Sequence, residues 1–281
     1  MPDPLITDSV HPAGPAARTL SVTFQSADAT LLGVLHLPAG DGPHPVVVLL
    51  HGFPGYERNF DLAQALRRAG YASLVFHYRG SWGVGGTWSW AHVLEDSARV
   101  VAQLREPETA ARHGLDPDRL AVVGHSLGGF AALMTAAADP AVAAVAAVTV
   151  VDFGAAAAAC RTDPSLRADY LADWAGALLP LRGTSTAALV AEMEAAGESW
   201  QLARLAPRLA GRPVLLIGAA LDTDAPVDTH HTPLVEAYRA HPVPDLEHHI
   251  FPTDHALADH RVALARTTIA FLDRHLKAGA R

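Results

Sequence analysis

The chain has 281 residues, half of them apolar, a formal net charge of −8 at pH 7, one cysteine and no lysine- or arginine-rich block. That length and apolar share suit one large α/β unit, and the acidic balance argues against nucleic acid or an anionic membrane surface as the main partner. Cys160 has no second cysteine and no metal-binding spacing around it, so it reads as a small buried apolar side chain.

Residues 1–20 are rich in proline and alanine but lack a basic start followed by an apolar stretch, so they do not read as a secretory signal. Residues 21–26 and 31–37 then predict an antiparallel entry hairpin with Asp28-Ala29 in its turn. Residues 45–50 form a continuous apolar run, as expected of a strand covered on both faces, and end at His51-Gly52-Phe53-Pro54-Gly55. A helix over 60–69, a strand over 71–76, a glycine-rich loop over 79–86 and a helix over 90–104 follow. Next come the apolar strand 120–123, the sequence Gly124-His125-Ser126-Leu127-Gly128, an alanine-rich helix over 130–138 and a strand over 141–151. No run reaches the roughly 18 uncharged residues of a membrane span. Residues 152–210 carry no convincing strand and predict a helical insertion over the site, including a helix over 187–196. The strand 213–217, helix 232–240, strand 246–251 and a closing helix over 257–276 complete the chain. This alternation predicts an α/β fold: a mostly parallel twisted sheet with helices on both faces, one domain over residues 1–281 with a helical lid at 152–210. A cytoplasmic location is expected, and the oligomeric state stays open, a homodimer included.

The strand, G-x-S-x-G and helix succession places Ser126 on a sharp turn that would lift its hydroxyl out of the sheet and aim the Leu127 N–H at a developing negative charge. A serine hydroxyl needs a base, and the base needs a group to orient it. Of the sixteen histidines, His255 fits best, because it follows a strand and a short turn before the last helix. His230, His231, His248, His249 and His260 read as surface or packed polar residues. For the acid, Asp222, Asp224 and Asp228 share the loop after 213–217; Asp222 comes soonest, Asp224 stays open, and Asp152 is an outside choice. The second N–H donor is expected from Phe53.

These pieces, together with Phe76-His77-Tyr78-Arg79-Gly80-Ser81, Gly218 through Asp222 to Pro226, and Thr253-Asp254-His255, make the chain resemble the α/β-hydrolase superfamily over nearly its whole length. It is similar to the dienelactone-hydrolase and prolyl-oligopeptidase-type serine hydrolase domains. The resemblance implies Ser126 as nucleophile, His255 as base, Asp222 as acid, Phe53 and Leu127 as oxyanion donors, and no metal or organic cofactor. The stretch from Gly218 to Asp222 is slightly longer than the commonest pattern, which keeps Asp224 in play. No β-propeller restricts access, which weakens a peptidase reading, and the serine at the elbow disfavours dehalogenase and epoxide-hydrolase chemistry. Trp82, Trp88, Trp174 and Trp200 are candidates to line an apolar substrate pocket, with Trp90 in the same region, and Arg79 is expected to brace its loop against a carboxylate. The expected activity is cleavage of a small-molecule carboxylic ester through an acyl-enzyme. The alternatives are a peptidase, amidase or thioesterase with the same residues, a lactone-cleaving dienelactone-type enzyme, or a non-catalytic binding member of the fold.

Overall fold

The computed structural model describes residues 3–8 and 14–277, so part of the loose start expected over 1–20 lies outside the described residues. Strands β1 (Arg18–Ser26) and β2 (Ala29–Leu37) pair antiparallel from Arg18↔Leu37 to Ser26↔Ala29. Their turn is Ala27-Asp28, one residue earlier than expected, because Ala29 is buried and pairs with Ser26, leaving Ala27 to take φ 49°.

Strand β3 (His44–Leu50), helix α1 (Phe60–Arg68), β4 (Ala72–Phe76), α2 (Trp90–Arg105), α3 (Pro107–His113), β5 (Leu115–His125), α4 (Leu127–Ala138) and β6 (Ala144–Val148) follow in order. The sheet has eight strands in the order β1-β2-β4-β3-β5-β6-β7-β8, where β7 is Val214–Ala219 and β8 is Leu246–Phe251. All pairs from β4 to β8 are parallel. The apolar runs are continuous because each central strand feeds two cores. Val46, Val48 and Leu50 of β3 enter one, while Val47 and Leu49 enter the other. Edge strand β8 has one open side, and its residues are only half-buried or exposed.

Two expected elements are longer than those observed. The run 141–151 gives a strand only over Ala144–Val148, since Thr149 leaves extended geometry at φ 42°. Helix α9 (Thr232–Ala240) lies between β7 and β8, and the closing helix α10 spans only Arg261–Leu272, because Leu257 takes φ 54° in the loop before it, with a wider turn over Asp273–Lys277 after it. Helix α3 had not been anticipated; Pro107 opens it and Gly114, in left-handed geometry, closes it.

Between β6 and β7 the regular structure is helical: α5 (Phe153–Thr162), α6 (Pro164–Ala175), α7 (Thr186–Ala196), two short 3₁₀ turns and α8 (Ala206–Leu209). This stretch is tied down at both its root and its middle. At the root, one Asp152 oxygen caps α5 through Ala155 N–H at 2.9 Å and the other accepts Leu202 N–H at 3.1 Å. In the middle, Trp82 N–H donates to Pro180 O, Arg182 N–H to Gly80 O and Trp88 N–H to Arg182 O, a short strand-like seam with the loop after β4. Between these anchors α6 has no buried residue.

The loop after β4 has its own brace. Arg79 lies 2.6 Å from Asp96 and 2.5 Å from Glu95, and its backbone N–H also donates to Asp96. Asp96 is fully buried and Arg79 nearly so. Arg79→Met strands that carboxylate, and we expect it to lower stability by about 3–5 kcal/mol. The denaturant midpoint reads the change; an unchanged midpoint would show the pair to be dispensable. Among the described residues no helix is long and apolar enough to cross a membrane.

Candidate active site

At the end of β5 the chain turns at Ser126, with φ 57° and ψ −121°, directly into α4. Such a backbone is costly for a residue with a side chain and persists where surrounding structure over-determines it. Here the surroundings are close. A Cβ on Gly124 would sit 1.9 Å from Gly128 O, and one on Gly128 would sit 1.9 Å from Leu50 O. The elbow therefore requires both glycines sterically. We expect Gly128→Ala to prevent stable folding, read as loss of a cooperative thermal transition; a variant melting near the parent would refute the steric argument. Ser126 N–H donates to Val148 O at 2.8 Å, fixing the elbow to β6, while Ser126 O accepts from Gly129 and Phe130 N–H.

His255 lies in the loop between β8 and α10, and its Nδ1 is 2.7 Å from Asp222 Oδ2. The other Asp222 oxygen accepts from Asp224 N–H at 2.9 Å and Ala225 N–H at 2.8 Å. Burial alone would push the Asp222 carboxyl up, but the hydrogen bond and charge of His255, with those two amides, leave it below the usual carboxylate range. Of the acids weighed from sequence, the structure thus brings Asp222 to His255. Asp224 is exposed on the same loop, Asp228 is exposed in the helical turn Val227–His231 that follows, and Asp152 caps α5.

The loop after β3 passes against the elbow, so close that a Cβ on Gly52 would lie 3.0 Å from Ser126 Cβ. Phe53 follows, half-buried. Its N–H and that of Leu127, the first residue of α4, have no acceptor among the described residues. The Leu127 amide directly follows Ser126 at the N-terminus of α4, and the Phe53 amide follows the Gly52 that packs on Ser126; an amide at a helix N-terminus is the kind of group that can receive an anionic oxygen.

The Phe53 ring packs 5.1 Å from Trp90, 5.9 Å from Trp174 and 6.1 Å from Trp88. Trp88 and Trp200 are buried in this aromatic body, whereas Trp174 on α6 is half-buried. Trp82 lies apart: its Nε1 donates to Pro54 O, and with Tyr56, Leu179, Pro180 and Arg182 it lines a surface cavity of about 370 Å³.

Histidines read from sequence as packed polar residues are indeed enclosed in two cases. His230 accepts from Asp152 N–H at Nδ1, and burial holds both His230 and His231 down to about 4. Sequence reasoning passed over His125 and Thr149, both of which contact the His255 backbone. Nothing in a sequence marks a main-chain carbonyl as a target.

The sequence model of the family described as alpha/beta hydrolase fold matches residues 45–214. The chain belongs to this hydrolase family. Among curated proteins it is 36% identical over 140 residues to a hydrolase, LUC6, of a Fusarium species, covering 46% of this chain and 32% of that one. It is 34% identical over 133 residues to the quorum-quenching protein AidA of Acinetobacter baumannii, covering 45% and 42%. The matches thus span less than half the length of these relatives. Among solved structures, a Pyrococcus furiosus esterase superposes with a TM-score of 0.66 at 16% identity, covering 96% of this chain and 98% of that one. A Pyrococcus horikoshii acylaminoacyl peptidase gives 0.68 at 18% identity, covering 94% and 42%. Esterases and peptidases therefore share this fold.

Proposed function

We propose that the protein is a serine hydrolase that cleaves small carboxylic esters through an acyl-enzyme. The observation that carries this reading is the 2.7 Å contact between Asp222 Oδ2 and His255 Nδ1, in a chain whose Ser126 stands at a strained elbow beside two unengaged amides. With Nδ1–H held by the carboxylate, His255 is left with Nε2 as its basic nitrogen. In this mechanism Nε2 takes the Ser126 proton as Oγ attacks the ester carbonyl, and the Phe53 and Leu127 N–H groups bind the oxyanion. The imidazolium then protonates the departing alcohol, leaving the acyl group on Oγ. Water, deprotonated by His255, attacks the acyl carbonyl; the acid leaves and Oγ recovers its proton. These steps use side chains, amides and water only.

Residues 152–210 serve in this reading as a cap, and the half-buried Phe53 and Trp174, backed by the fully buried Trp90, form an aromatic wall that suits an apolar acyl or aryl group. Trp82, Trp88 and Trp200 are then supports of that wall or its margin. The test is hydrolysis of p-nitrophenyl esters from acetate to palmitate beside an aminoacyl anilide, together with labelling by a fluorophosphonate probe, with Ser126→Ala as control. Ester turnover and labelling that vanish in the variant are the expected result. Anilide turnover alone would make the protein a peptidase. An unlabelled Ser126 would point to a non-catalytic member of the fold.

A further inference from the structure

The backbone carbonyl of His255 receives two side-chain hydrogen bonds. His125 Nε2–H donates to it at 2.8 Å and Thr149 Oγ1–H at 3.0 Å. The donors stand at the carboxyl ends of the adjacent strands β5 and β6, whereas His255 belongs to the loop after β8, two strands beyond β6. A carbonyl oxygen has two lone pairs, so this one is fully used.

Both donors sit where a purely structural contact would be expensive. His125 is buried, and burial with the neighbouring charge of His255 holds its pKa down to about 4, so the ring is neutral. Its proton is committed to Nε2, which leaves Nδ1 bare and without a partner among the described residues. An unsatisfied buried acceptor of that kind costs about 1–3 kcal/mol. Thr149 is a β-branched residue held at φ 42°, a left-handed conformation such residues rarely adopt. Two local costs converge on a single oxygen. Other ties in this loop, Ala258 N–H to Asp254 and Arg261 to Ala256 O, hold its flanks and do not touch His255.

We propose that His125 and Thr149 are positioning residues that pin the main chain of His255 from behind, so that its ring is fixed at both ends; this rests on the serine-hydrolase reading above. Asp222 grips the ring at Nδ1, and the two donors grip the backbone at O. Only the backbone ψ and the two side-chain torsions of His255 lie between those points, so Nε2 has little freedom left. His125 also precedes Ser126 directly, so a displacement of the elbow carries the base with it. The distance between nucleophile and base is thereby held by one short covalent and hydrogen-bonded path, independent of the long loop.

The experiment compares His125→Ala, His125→Gln, Thr149→Val and Thr149→Ser with the parent in steady-state kinetics and in the rate of fluorophosphonate labelling, with thermal midpoints alongside. The glutamine amide can donate from nearly the position of Nε2, and serine keeps the hydroxyl. We expect kcat and the labelling rate to fall about tenfold in His125→Ala and Thr149→Val with KM within twofold of the parent, as for a modest misplacement of a catalytic group. The glutamine and serine variants recover most of the loss. Folded His125→Ala and Thr149→Val proteins that react at the parental rate would overturn the proposal, as would equal losses in the donor-keeping and donor-free variants. Thr149→Val keeps shape and volume, so it decides the matter even where His125→Ala does not fold. A parent chain that resists the probe would instead sink the serine-hydrolase reading itself, an outcome distinct from normal labelling in every variant.

Discussion

Asp222→Asn is expected to lower kcat by about 10⁴-fold, while Asp224→Asn stays within a few-fold of the parent. The size of the first effect comes from tautomer choice. One Asp222 oxygen is fixed by the Asp224 and Ala225 amides, so an asparagine there would keep its carbonyl on those donors and turn its NH₂ toward His255 Nδ1. Nδ1 would then have to accept, the proton would move to Nε2, and the ring could no longer take a proton from Ser126. Asp224 contributes its backbone N–H to this arrangement, which the substitution preserves, and its side chain is exposed. Measurement of kcat and of probe labelling for both variants settles the assignment. Comparable losses would overturn the separate roles of the two aspartates, and the reverse ranking would move the acid to Asp224.

The second large effect is on folding. Burial holds His51 down to about 3 and His125, His230 and His231 to about 4, against an ordinary value near 6.5. In the pH window between those values the unfolded chain binds protons at these sites and the folded chain does not. Stability therefore rises with pH there, is fully present above about 6.5 and is lost as pH falls toward 4. Asp222, whose carboxyl is depressed by its partners, adds a loss of the same sign further down, below the ordinary carboxylate range. Each buried histidine opposes folding by up to ~1.4 kcal/mol per pH unit in its window, and a typical domain has about 5–15 kcal/mol in all. The protein should accordingly unfold cooperatively in the region of pH 4–5. Thermal midpoints measured from pH 7.5 to 4 test this: a steep decline below about 6.5 is expected, and a flat profile to pH 5 would show that these rings take protons without unfolding.

The architecture was legible in the sequence where burial is two-sided. Strand β7 and residues 45–50 of β3 are unbroken apolar runs, β4 is apolar except for Ser73, and the elbow is marked by glycines whose Cβ atoms would strike backbone. Legibility failed where hydrophobicity outlasted regular geometry. Val150 is buried beyond the end of β6, so composition alone could not signal the left-handed Thr149. Leu257 likewise looks helical by type but sits in the loop that carries His255. In the candidate site, Ser126 and His255 stood out in the sequence by their spacing, whereas Asp222 is set apart from Asp224 and Asp228 only by its contact with His255. His125 was present in the motif from the start, but its acceptor lies 130 residues away.

Helix α6 hangs between two anchors and buries none of its residues, yet it presents Trp174 to Phe53. Substitutions on its exposed face should therefore cost the fold little, while those at Leu166, Tyr170, Leu171 and Trp174, which pack partly buried against the core, would alter the wall that a substrate would meet in the proposed reading. In evolutionary terms its exposed face is cheap ground: the seam at Gly80, Arg182 and Trp88 holds the insertion in place without relying on that face. Under the proposed ester chemistry, divergence in acyl preference among relatives of this chain should collect in α6, and a library confined to residues 164–175 tests this.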